Sequence, residues 1–219
     1  MERAGDAVRR WGALTAGLLA AHLRRWLTLP ATLLTLVLGL ACVAPSMLAR
    51  PHMLALPAVE LWTAGLLIAC AKGEAPSWWL LPVMTVWANL HGSFPFGLAL
   101  AGPLALEAVL AERTGRMKVA ARWTAFLLAA ALPTPHGVEG LLFPLQLMHM
   151  SMLSGIGEWA PTSFRTAPPM EFAAAALLFV VVARGIRLPV IRLLLPFGLT
   201  YLALQHARIR YCWVSSAPC

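Results

Sequence analysis

A chain of 219 residues that is 60% hydrophobic and 12% charged, with a mean hydropathy of +0.75, has too little polar surface to cover a soluble globule. Its formal net charge of +8 raises nucleic acid as a partner, but the arginines stand in pairs and triplets between apolar runs, without the basic, aromatic-interleaved patch that nucleic acid requires. Leu- and Ala-rich runs without sustained alternation argue against an outer-membrane barrel and predict an all-α fold: a polytopic transmembrane bundle of about seven or eight helices, several short or broken, in a single domain over 1–219.

The chain opens with a polar stretch carrying Arg3, Arg9 and Arg10, followed by a short apolar run from Trp11 to Leu23. A basic start before an apolar run resembles a secretory signal, but no small-x-small site precedes Arg24-Arg25, so an uncleaved helix is expected, spanning or lying on the surface. Trp26 to Ala44 reads as a span with Pro30 near its start, where proline is tolerated. A break from Pro45 to Pro51 carries Arg50. The next span, His52 to Ala71, contains Glu60 and closes at Lys72-Gly73-Glu74-Ala75-Pro76.

Two short spans, Ser77 to Ala88 and Phe94 to Ala111, flank the polar stretch Trp87-Ala88-Asn89-Leu90-His91-Gly92-Ser93-Phe94-Pro95. Glu107 lies near the far boundary of the second and is expected to be solvated. Then comes the most basic loop, with Arg113, Arg116, Lys118 and Arg122 against Glu112, and such an excess marks the cytoplasmic side. Val119 to Leu132 returns outward to Pro133-Thr134-Pro135-His136-Gly137. Residues 138–169 are expected to form an extracytoplasmic loop with an interfacial helix around Leu141 to Met152. Glu171 to Ala183 then crosses inward to the arginines of 184–192, and Leu193 to His206 crosses out.

Counting crossings from the basic loop places Arg50, His52, Asn89, His91, His136, Glu158, Arg165 and His206 on the outer side. Convergence of ionisable and amide groups on one face is the pattern of a site at a membrane boundary. Arginines there offer donors to an anionic substrate, and Glu158 offers acid or base capacity. Each residue also has a structural reading. Asn89 and His91 could satisfy backbone groups freed where two helices break; Arg50 could snorkel to head groups. Glu60, two turns from His52, could form a buried ion pair, a proton relay or a bond between helices.

Cys42, Cys70, Cys212 and Cys219 lack metal-ligand spacing and read as packing residues, as do Met148, Met150 and Met152 around His149, so no metal and no cofactor is expected. Trp26, Trp78, Trp79, Trp87, Trp123 and Trp159 sit mostly near span ends and read as interface anchors. Nucleotide-loop, zinc-protease and serine-hydrolase motifs are absent from the sequence.

The order Arg50-Pro51-His52, Trp87-Ala88-Asn89-Leu90-His91-Gly92, Pro133-Thr134-Pro135-His136-Gly137 and Glu158-Trp159-Ala160-Pro161 resembles bacterial multi-pass proteins of the GT-C glycosyltransferase type. The resemblance implies a polyprenyl-phosphate-linked sugar as substrate and action on the extracytoplasmic face of the inner membrane. Under it, Glu158 is the candidate catalytic residue near the acceptor, and Arg50 and His91 are expected at the donor phosphate. His52, Asn89, His136 and Arg165 complete the candidate binding residues. Proteins of this type are longer and carry an acidic motif after their first membrane helix, whereas Asp6 is the only aspartate here. A middle segment or frameshifted product without activity is therefore one expectation. Another is a non-enzymatic transport or assembly component of the membrane, in which the same polar residues only tie helices together.

Overall fold

The computed structural model describes residues 2–43, 52–132 and 189–205, with residues 139, 175 and 176 besides. Among these the chain is all-helical and contains no strand. The described helices are α1 (Glu2–Leu23), α2 (Leu29–Val43), α3 (His52–Lys72), α4 (Leu80–Leu90), α5 (Phe94–Ala111), α6 (Arg116–Ala131) and α7 (Val190–Gln205). Two of them are long and apolar enough to cross a membrane, α3 over Leu54–Lys72 and α5 over Phe94–Ala111. The helices within the spans expected at Trp26 to Ala44 and Ser77 to Ala88 start later than drawn from sequence, α2 at Leu29 and α4 at Leu80, the latter running on to Leu90. With 15 residues in α2 and 11 in α4, they reach about 22 and 16 Å, against a hydrocarbon core of about 30 Å. Trp78 and Trp79 stand in a turn ahead of α4, which removes one end of that expected span.

The chain divides into two compact units, Met1–Arg50 with Met152–Cys219, and Pro51–Ser151. In the first, α1 begins at Glu2, well before the apolar run, because no proline stops the helix through the polar start. It ends in a tight turn in which Trp26 N–H donates to the carbonyl of Leu23 and Arg24 Nη1 to the carbonyl of Leu27. On α2 the side chains of Leu29, Leu33, Val37 and Leu40 are all exposed and follow helical spacing, with Leu34 beside them. The helix thus presents its largest apolar residues outward as one exposed apolar face.

The second unit packs α3 to α6 around tryptophan. Trp62, Trp87, Trp123 and Phe126 are all buried, which corrects the reading of Trp87 and Trp123 as interface anchors. Trp62 stacks on Phe126 at a centroid distance of 5.5 Å, tying α3 to α6, and donates through Nε1 to the carbonyl of Gly97 at 2.9 Å, tying α3 to α5. That approach depends on glycine: a Cβ at Gly97 would run into the ring of Trp87 and meet Met84 Cε at 3.2 Å. Three helices therefore meet at one backbone position. α3 ends in a Schellman motif, with Gly73 at φ +68°, Gly73 N–H bonded to Cys70 O and Glu74 N–H to Ala69 O. Only glycine takes that conformation without strain, and the chain turns back so that Leu80, at the head of α4, lies against Gly65.

Successive helices of this unit thus run up and down. With α3 packed on α4 and α5, and α5 on α6, and with Leu80 against Gly65 and Trp62 bonded to Gly97, the turns Lys72 to Leu80 and Glu112 to Arg116 fall at one end and the α4–α5 break and the head of α3 toward the other.

Candidate functional site

The break between α4 and α5 is a closed hydrogen-bonded device. His91 leaves the helix in an extended conformation (φ −156°, ψ 136°) while its N–H still donates to the carbonyl of Trp87 at 2.9 Å. Trp87 Nε1 donates to Ser93 Oγ at 3.1 Å. Ser93 Oγ lies 2.7 Å from His91 Nδ1, and Ser93 N–H donates to the same nitrogen at 3.1 Å. An indole can only donate, so the serine oxygen accepts from it and turns its own proton toward His91. Nδ1 then receives two donors and must be unprotonated, which places the proton of the neutral ring on Nε2. Pro95 follows in the first turn of α5, where its missing N–H costs nothing.

Asn89 is exposed on the last turn of α4, and its Nδ2 donates back to the carbonyl of Thr85 at 2.7 Å. Thr85 in turn donates to the carbonyl of Leu81. Of the candidate residues, then, Asn89 and His91 come together at the break, and His52 heads α3 at the same end of the unit. The side chain of His52, and Arg50, His136, Glu158 and Arg165 altogether, lie outside the described residues. So do the expected interfacial helix around Leu141 to Met152, the crossing from Glu171 to Ala183, and His206. Ser93 is the residue that sequence reasoning passes over. Its signal is its place, two residues beyond a histidine in a glycine-loosened break, where a hydroxyl commonly bonds nearby polar groups.

Two carboxylates are buried in this unit, Glu60 on α3 and Glu107 on α5. Burial of Glu107 corrects the expectation that it is solvated. It shares a face of α5 with Leu104, Ala105 and Ala108, which are also buried, and α5 is packed by α3 on one side and α6 on another. Just past the C-terminal end of α5, Glu112 is held by the turn that follows it. Its Oε1 accepts from Thr114 N–H at 3.1 Å, Thr114 Oγ1 at 3.2 Å and Gly115 N–H at 3.2 Å. The Thr114 amide foremost, then that of Gly115, holds its carboxyl below the usual glutamate range. Among the described residues no group of three or more metal-ligating side chains gathers.

The geometry offers a half-buried neutral imidazole and an exposed amide at one end of the unit, and a row of cations at the other. No protein-family model matches the sequence, and no curated protein or solved structure matches it.

Proposed function

We propose that the chain is a multi-pass protein of the bacterial inner membrane, with the loop after α5 in the cytoplasm and the α4–α5 break in the outer water layer. One observation carries this: the charge partition across the second unit. Lys72, Arg113, Arg116, Lys118 and Arg122 gather at one end, while the other end, among the described residues, carries His52, Asn89 and His91 and no lysine or arginine. Between them runs α5, whose 18 apolar-rich residues span about 27 Å. Cations held on one side of such a helix follow the rule that orients membrane proteins.

At the outer end the chain meets an anionic lipid-linked sugar of the polyprenyl-phosphate class. The motifs that resemble GT-C type glycosyltransferases support this, with Arg50 and His91 at the donor phosphate, His52, Asn89, His136 and Arg165 around it, and Glu158 near the acceptor. The bonds at the break favour a second reading. His91 Nδ1 and the Ser93 hydroxyl are used in closing the break, and the Asn89 amide N–H donates back within its own helix, as they would in a non-enzymatic transport or assembly component. Binding of polyprenyl phosphate to the detergent-purified Arg50→Ala and His91→Ala variants separates the two. Transferase-type recognition weakens binding by about tenfold or more in both variants, and in Arg50→Ala at unchanged melting temperature. A structural role leaves binding intact and lowers the melting temperature of His91→Ala.

A further inference from the structure

We infer that the turn between α5 and α6 is a binding surface for anionic phospholipid head groups, formed by Arg113, Lys118 and Arg122. The inference rests on the membrane placement proposed above. Three observations carry it.

The first is that the turn satisfies itself without these three residues. The carboxylate of Glu112 is taken up by the amides of Thr114 and Gly115 and the hydroxyl of Thr114. Arg116 is likewise committed, with Nε donating to the carbonyl of Glu112 and Nη2 to that of Leu110 at 3.4 Å, so it closes the end of α5. Among the described residues, Arg113, Lys118 and Arg122 are exposed and their side chains have no partner. The second is their setting on α6. Met117, Ala121, Thr124 and Leu128 form an exposed, mostly apolar strip at helical spacing, continued by Leu132, and Met117 is 83% exposed. Lys118 and Arg122 border that strip along its first two turns, while Trp123, Phe126 and Ala130 on the opposite side fill the core. A helix that enters an apolar layer through a methionine flanked by cations places their long stems along lipid and their charges among phosphates. The third is charge balance: three unpaired cations with no free acid in the turn attract an anionic leaflet, and a zwitterionic one satisfies them poorly.

The test uses the full chain purified in detergent, exchanged into mixed vesicles or micelles containing phosphatidylglycerol or phosphatidylcholine, with retained lipid counted by native mass spectrometry. The wild type should retain phosphatidylglycerol selectively, and less of it as salt is raised. Each of Arg113→Gln, Lys118→Gln and Arg122→Gln should weaken retention about fivefold, and the three together roughly a hundredfold. Arg116→Gln should lower the melting temperature and leave lipid selectivity in place, which separates loss of fold from loss of binding. Undiminished phosphatidylglycerol selectivity in the triple variant, or equal retention of phosphatidylcholine by the wild type, overturns the inference. A chain that stays monodisperse without detergent overturns the membrane placement itself, a different result from a detergent-requiring chain that ignores lipid charge.

Discussion

The hydroxyl of Ser93 accepts from the buried indole of Trp87 and donates to His91, so Ser93→Ala leaves an indole N–H without an acceptor in a site that water does not reach. A loss of about 1–3 kcal/mol is expected, read as a lower melting temperature in detergent. Asn89→Ala removes a bond on an exposed turn and should change stability by less than about 0.5 kcal/mol. Glu112 gives the turn after α5 a pH dependence of known sign. Its folded carboxyl titrates below the ordinary range because of the Thr114 and Gly115 amides, so the stabilisation is complete above the unfolded value and disappears as pH falls through the folded one. The protection of the Thr114 and Gly115 amides, taken relative to the intrinsic exchange rate at each pH, should therefore fall on acidification below the usual glutamate range, and Glu112→Gln should flatten that response. That His91 and Asn89 are polar groups interrupting an apolar run was legible in the sequence, with helix closure and a binding role both open. The role of Ser93 was not, because it depends on an indole six residues back that only the folded turn brings within reach.

Gly97 fixes the register of α5 against α3 and α4. A methyl there meets Trp87 and Met84 and displaces the backbone that Trp62 holds, so Gly97→Ala should cost about 1–3 kcal/mol. Gly102, five residues along the same helix, faces open space: a methyl added there meets no atom within 4 Å. Gly102→Ala is expected to be neutral or stabilising by up to about 1 kcal/mol, and comparing the two melting temperatures checks the packing face. Hydropathy and punctuation located the long helices well. The bounds of α5 coincide with the apolar run from Phe94 to Ala111, and α3 stops where Lys72-Gly73 announces a turn. Composition alone could not separate an apolar residue in a turn from one in a helix, hence the late start of α4 after Trp78 and Trp79. Nor could it report which side of α5 other helices cover, hence the error at Glu107.

Membrane orientation is a property of the whole chain, and two glycines offer places to test it. A side chain at Gly92 meets nothing within 4 Å, and one at Gly115 makes only ordinary contact with Glu112, so cysteine is accommodated at both. With Cys42, Cys70, Cys212 and Cys219 replaced, an impermeant maleimide applied to intact cells should modify Gly92→Cys and spare Gly115→Cys. Labelling at 115 without labelling at 92 would reverse the orientation. The helical class of the described residues was readable in the Leu- and Ala-rich runs without sustained alternation. The number of crossings was not, since α2 and α4 are apolar yet shorter than a bilayer. The junction at Gly97 has a mechanical corollary. Trp62 grips the first turns of α5 from one side and the Trp87 ring from the other, so a pull on the nearby break is transmitted to the indole of α3. The indole N–H resonance of Trp62, read in a chain that keeps Trp87, would then report events at the break from the interior of the unit.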